Sequence, residues 1–190
     1  MIRIFAALPI PPDIAAGLAR RQQGLAEARW SPAENLHITL RFVGDIAEPQ
    51  AEDFDSALSK IDCGAMELEL EGVGAFGDGR DIHAVWAGVA DNPTLRQLAQ
   101  ACEGAARRAG LRPDTRLWRP HVTLAYLRQP NPVQVAGWIQ ANNLLKSPRF
   151  RVEAFGLYSS RATKAGSRYS LLRLYSLGEG QTCDDWAVEA

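Results

Sequence analysis

No apolar stretch in this chain approaches the roughly 18 residues that a membrane-crossing helix needs. The opening Met1-Ile2-Arg3-Ile4-Phe5 lacks a charged leader followed by a long apolar run, so a cytoplasmic protein without a membrane partner is expected. Charge of one sign is also lacking: the formal net charge is −1, which excludes long-range attraction of nucleic acid by the whole surface but leaves room for a local basic cleft. Cysteine is scarce. Cys63, Cys102 and Cys183 are odd in number, widely spaced and form no CxxC pair, so neither a disulfide framework nor a zinc site is expected, and all three read as free thiols. With 46% hydrophobic content over 190 residues, the chain can bury a substantial core as one large domain or two intimate lobes.

Histidine is scarcer still in proportion to its use. There are only three, and two of them sit in one phrase written twice: His37-Ile38-Thr39-Leu40 and His121-Val122-Thr123-Leu124. Each copy reads as a strand, in which residues i and i+2 share a face. His37 and Thr39 then point one way and Ile38 and Leu40 the other, with the same arrangement in the second copy. The apolar face belongs to a core; the polar face offers an imidazole beside a hydroxyl. Two such strands brought together would set two imidazoles across one cleft, a plan for acid–base catalysis without metal or other cofactor.

The surrounding pattern is duplicated too. Strand Arg3–Leu8, a helix from Pro11-Pro12-Asp13 to about Ala28, the first histidine strand (36–43) and a helix from about Pro49 to Ile61 come first. A hairpin of Met66–Glu71 and Ile82–Val89 follows, then a helix from Asp91-Asn92-Pro93-Thr94 to about Ala109, ended by Gly110. The second histidine strand (118–127), a helix over 132–142 and a hairpin of Arg149–Ser159 with Arg168–Leu177 complete the order. The motif histidines lie 84 positions apart (37 and 121), and Glu71-Gly72-Val73-Gly74 is echoed by Glu153-Ala154-Phe155-Gly156 at 82. The turn glycines, Gly79 and Gly166, lie 87 apart. Near-agreement of these offsets predicts two lobes related by pseudo-twofold symmetry. The expected organisation is one bilobal domain over 1–177 and a loosely packed tail over 178–190 carrying Asp184, Asp185 and Glu189.

A symmetric imidazole pair suits in-line displacement at phosphorus. The neutral ring accepts a proton from the attacking oxygen and the protonated ring donates to the departing one; an unperturbed pKa of about 6.5 makes both forms accessible near neutrality. Thr39 and Thr123 can donate to non-bridging phosphate oxygens. His83, in Ile82-His83-Ala84, has no threonine two residues later and serves as the control. Arg41 shares the His37–Thr39 face if the strand stays regular that far, and its planar fork suits phosphate. Arg119 precedes Pro120 and is held extended, which sets the approach to His121. Arg161, Lys164 and Arg168 make the loop before the last strand basic. Trp30, Trp118, Phe76, Tyr158 and Tyr169 are candidates for stacking on a base.

The doubled motif resembles that of the 2H phosphoesterase superfamily. The context Leu36-His37-Ile38-Thr39-Leu40-Arg41-Phe42-Val43-Gly44-Asp45 is similar, more narrowly, to the bacterial RNA 2′,3′-cyclic phosphodiesterase branch, historically called 2′-5′ RNA ligase. The opening Arg3-Ile4-Phe5-Ala6-Ala7-Leu8-Pro9, the Arg119-Pro120-His121 approach and the Leu157-Tyr158-Ser159-Ser160 segment followed by Tyr169 and Leu172 agree with it. The resemblance implies an α+β fold, bilobal and duplicated, with antiparallel sheets flanking a central cleft and helices outside. It implies hydrolysis of RNA 2′,3′-cyclic phosphate ends to 2′-phosphates without metal, with reverse 2′-5′ joining of RNA ends. His37 is expected as proton donor and His121 as proton acceptor, with Thr39 and Thr123 on the phosphate. One position departs from the pattern: many members carry arginine five residues after the second motif histidine, where this chain has Tyr126. Phosphate charge must then be met by another group, with Arg41 and Arg128 as candidates. The partners implied are RNA ends or small nucleotide cyclic phosphates, acted on by a monomer. Another nucleotide cyclic phosphate as substrate, or an RNA-end binding module without turnover, are the rival readings.

Overall fold

The computed structural model describes residues 1–26, 28–163 and 166–178. The chain begins with β1 (Ile2–Pro9), α1 (Pro12–Ala19) and the two-residue β2 (Arg29–Trp30). Next come β3 (His37–Ile46), α2 (Glu48–Leu58), β4 (Met66–Leu68), β5 (Leu70–Phe76), β6 (Ala84–Val89) and α3 (Pro93–Arg108). The series closes with β7 (His121–Tyr126), α4 (Pro132–Asn142), β8 (Phe150–Val152), β9 (Ala154–Thr163) and β10 (Gly166–Ser176). Helices α3 and α4 start at side-chain caps: Asn92 accepts from the amide of Leu95 and Asn131 from that of Val133, both at 2.9 Å, each with proline in the first turn. Gly110, at φ 70°, follows α3 in the left-handed region that a side chain disfavours.

Helix α1 is shorter than expected. Its buried face is Ile14, Ala15 and Leu18, and the polar run Arg20–Gln23 offers nothing to continue it before Gly24 turns the chain at φ 82°. The expected basic loop at Arg161–Ser167 is largely strand: Arg161 and Arg168 are cross-strand partners, and Lys164 falls outside the described residues. Cys183, Asp184, Asp185 and Glu189 also lie outside them. Cys102 is a buried free thiol and Cys63 is disulfide-bonded, so the expectation of three free thiols is corrected.

The strands of the main sheet run β10–β9–β1–β3–β7–β6–β5, all neighbours antiparallel, with β2 added to β7; β4 and β8 form a separate pair. The two histidine strands sit side by side at the centre, yet their ladder is a single pair, Ile38 opposite Val122. They therefore join two half-sheets. One is β10–β9–β1–β3; the other is β7–β6–β5 with β2. Helices α2 and α3 pack behind the first, while α4 packs behind β5 and receives the turn after α1 through a Trp138 Nε1 bond to the carbonyl of Arg21 at 3.3 Å. A continuous apolar core, including Ile4, Leu8, Ile38, Phe54, Leu98, Leu124 and Phe155, fills the space between sheet and helices.

The duplication is real, but the halves exchange parts. The hairpin that follows the first histidine strand, β5–β6, pairs with the second, β7. The hairpin that follows the second, β9–β10, pairs with β1 beside the first. Each lobe is thus made from both halves of the chain.

Candidate active site

Ile38 and Val122 are fully buried, as is Leu124, and Leu40 is nearly so; His37, Thr39, His121 and Thr123 are half-buried on the opposite face. The antiparallel register about Ile38 and Val122 sets His37 across from Thr123 and Thr39 across from His121. Each imidazole therefore neighbours the hydroxyl of the other copy as well as its own.

Both rings are tethered in the same way. His37 Nδ1 lies 2.7 Å from the carbonyl oxygen of Asn35, and His121 Nδ1 lies 2.7 Å from that of Arg119. A carbonyl can only accept, so Nδ1 carries the proton and Nε2 is left to exchange one with a ligand. Aromatic rings fix the planes. Phe5 and Tyr169 flank His37 at 4.9 and 5.2 Å between centroids; Phe76 and Trp86 flank His121 at 4.7 and 6.3 Å. Burial lowers the pKa of both histidines. For His37 the carbonyl of Asn35 opposes the shift and the charge of His121 adds to it. For His121 the carbonyl of Arg119 opposes it and the Arg119 charge adds to it. The two rings stand on neighbouring strands, each one residue before its member of the Ile38–Val122 pair. No group of three or more metal-ligating side chains occurs among the described residues.

The control behaves as one. His83 is exposed just before β6, although its Nδ1 also lies 3.1 Å from a carbonyl two residues back, that of Asp81. The tether alone is not diagnostic; the threonine and the partner strand are.

The family model for LigT-like phosphoesterases matches this chain twice, over residues 8–86 and 88–169. The chain belongs to the LigT-like phosphoesterase family. An Archaeoglobus fulgidus protein named RNA 2′,3′-cyclic phosphodiesterase is 27% identical over 177 residues, covering 92% of this chain and 99% of that one. The Escherichia coli protein of that name is 28% identical over 184 residues, covering 92% and 96%. Among solved structures, E. coli LigT complexed with 3′-AMP superposes at a TM-score of 0.75 and 26% identity, covering 93% of this chain and 98% of that one. A Thermus thermophilus protein, TT0787, superposes at 0.79 and 21% identity over 95% and 100%, a likeness of fold. No described helix is long and apolar enough to cross a membrane.

In this LigT-like chain the phosphate-binding candidates sort unexpectedly. Arg41 is on the wrong face. The β1–β3 register passes from Ala7–Thr39 to Ala6–Arg41, so Leu40 is the extra residue of a bulge. The slip turns Arg41 into the helix layer, where it is 7% exposed and its Nε lies 2.6 Å from Glu103 Oε2. Its Nη2 donates to the carbonyl of Arg112 at 2.5 Å. The β6–β7 register slips at the equivalent place, from Trp86–Thr123 to Val85–Ala125, around Leu124. That slip brings Tyr126, not Ala125, onto the cleft face, where it is 44% exposed. Arg128 lies exposed in the turn beyond β7 and does not line the cavity.

Of the aromatic candidates, Tyr169 and Phe76 touch the histidines, Tyr158 stacks on Phe5 one ring further out, and Trp30 lines the cavity with Trp138 behind it. Trp118 instead braces β3, donating Nε1 to the carbonyl of Thr39 at 3.0 Å. Sequence reasoning missed Phe5 and Trp86, whose signal was alternation: each shares a strand face with cleft residues. It also missed Arg29, since β2 is too short for any periodicity.

Proposed function

We propose that this protein hydrolyses the 2′,3′-cyclic phosphate at RNA ends to a 2′-phosphate, with two histidines as acid and base. The observation that carries the reading is the pair of carbonyl-tethered imidazoles on adjacent strands, each with Nε2 free and a threonine opposite. In this reading His121 is the base that takes a proton from water. His37 is the acid that protonates the departing 3′-oxygen. Thr39 and Thr123 donate to the non-bridging oxygens as charge grows there. With the 5′-hydroxyl of a second RNA end attacking phosphorus in place of water, the same proton transfers release the 3′-oxygen and join the two ends in a 2′-5′ bond. The activity for which the relatives are named supports this reading.

The test is a metal-free assay on a 2′,3′-cyclic-phosphate oligonucleotide with product analysis. A 2′-phosphate is expected, with turnover unchanged after exhaustive EDTA treatment; a 3′-phosphate or metal dependence contradicts the proposal. His37→Ala and His121→Ala should each lower the rate by about 10²–10⁴-fold, and His83→Ala should not. Roles are separated by a substrate whose 3′ bridging atom is sulphur, a leaving group that needs no proton. It should rescue His37→Ala and leave His121→Ala slow; the reverse outcome exchanges the two assignments.

A further inference from the structure

Of Arg3, Arg41, Arg119, Arg128 and Arg29, all close in sequence or space to the histidine strands, Arg29 alone is among the residues lining the His37 cavity. Arg3 pairs with Asp45 at 3.3 Å. Arg41 is held behind the sheet by Glu103. Arg119 lies over the Trp86 ring, 5.4 Å from its centroid. Arg128 is in the turn past β7. The fifth, Arg29, lines the same cavity as His37 and Thr123.

Its placement is built rather than incidental. Strand β2 adds to the edge of β7 that β3 leaves open, with Arg29 directly opposite Tyr126. The guanidinium lies over the Tyr126 ring at 5.2 Å, a contact that holds the charge beside the cavity. Gly166 makes room: a Cβ there would sit 3.2 Å from Arg29 Nη1. Asn35, two residues before His37, donates to the carbonyl of Ser167 at 2.9 Å and so holds the start of β10 against the cavity. Across the pseudo-twofold axis Arg3 lies over Phe42 at 5.3 Å, but it is carried on β1 and paired with Asp45, and among the described residues the segment preceding β7 forms no strand on β3. The two arginines are therefore carried and partnered differently although the imidazoles are matched.

We propose that Arg29, clamped on Tyr126, is the group that binds the phosphate anion beside His37 and Thr123. The proposal rests on the phosphodiesterase reading for the identity of the substrate, but not for its test. The decisive measurement is titration with inorganic phosphate, followed by the ring resonances of His37 and His121 at constant ionic strength. Arg29→Gln should weaken phosphate binding by about ten- to a hundredfold, the loss expected for a charge-assisted contact. Arg29→Lys should keep part of the affinity, as a point charge without the fork. The double variant Arg29→Gln with Tyr126→Arg should recover it, since the two positions are cross-strand partners on one face. Arg128→Gln should bind phosphate as the unaltered protein does.

Unchanged phosphate affinity in a folded Arg29→Gln protein overturns the proposal, and failure of the double variant to recover affinity counts against it. The two readings fail separately. A protein that binds phosphate through Arg29 but hydrolyses no cyclic phosphate defeats the hydrolase reading alone. A protein that hydrolyses it while Arg29→Gln binds phosphate normally defeats this proposal alone.

Discussion

His37 and His121 differ from His83 in what surrounds the ring, not in the local bond to the chain. All three contact a carbonyl two residues back, and His83 stacks on Phe76, the ring that also meets His121; only His37 and His121 are half-buried on the paired strands beside a threonine. That environment lowers both pKa values from the ordinary 6.5. A base acts only when neutral, so its limb of the rate profile rises with pH through its pKa. An acid acts only when protonated, so its limb falls through its own. With both lowered, kcat/KM against pH should describe a bell whose maximum lies below pH 6.5, and the two limbs belong to the coupled pair. Arg119→Gln removes a positive charge beside His121 and should move the limb set by that ring toward higher pH. A maximum above about pH 7 in the unaltered protein contradicts this expectation. At this scale the sequence was informative because the motif is local: the candidate imidazoles, the hydroxyls beside them and their shared strand face were legible in four-letter phrases. The cation was not, because Arg29 reaches the site only through a two-residue pairing formed at long range.

Elements depart from regularity where the site needs it. The bulge at Leu40 sends Arg41 into the helix layer, where it joins Glu103 of α3, itself 21% exposed on its side chain. Asp114 stands 3.9 Å from Arg41 and lies on Arg116, which holds its pKa down to about 2. Removing Glu103 takes the nearest carboxylate from a buried guanidinium and leaves it Asp114 and two carbonyl acceptors. Glu103→Ala should therefore cost about 1.5–3 kcal/mol and lower the melting temperature by several degrees, visible by calorimetry, with the histidine tethers intact. On the second lobe, the Trp86 ring lies against Gly74, where a Cβ would fall 2.3 Å from the indole. Gly74→Ala should displace Trp86 from beside His121 and reduce kcat/KM more than it reduces stability, measured by parallel kinetics and thermal melts. Alternation in the sequence predicts both strands. It cannot show a bulge, because a bulge is recorded only in the partner strand's register; hence Arg41 reads as a cleft residue and is not one. The end of α1 was similarly hidden, since alanines extend a helical reading that the polar Arg20–Gln23 run and Gly24 interrupt.

At the scale of the molecule, the repeat in the sequence is a repeat of components rather than of lobes. A fragment of residues 1–90 carries β1 without β9 and the β5–β6 hairpin without β7. A fragment of residues 91–178 has the converse defect. Neither should protect its backbone amides from exchange alone, and mixing the two should restore protection; a stably folded fragment on its own contradicts the exchanged architecture. The 84-residue offset between His37 and His121 announced duplication, but which hairpin joins which histidine strand depends on pairings that no offset encodes. The matched bulges have a practical corollary for anyone altering this scaffold. By advancing each histidine strand one place after its threonine, they hide positions 41 and 125 and expose Phe42 and Tyr126, each beneath an arginine, with Tyr126 lining the cavity rim. The rim positions belong to the same two strands as the histidines yet sit past the slip. Side chains there can be exchanged without moving the two imidazoles, so under the proposed activity retargeting to a new phosphate ester should begin at these positions.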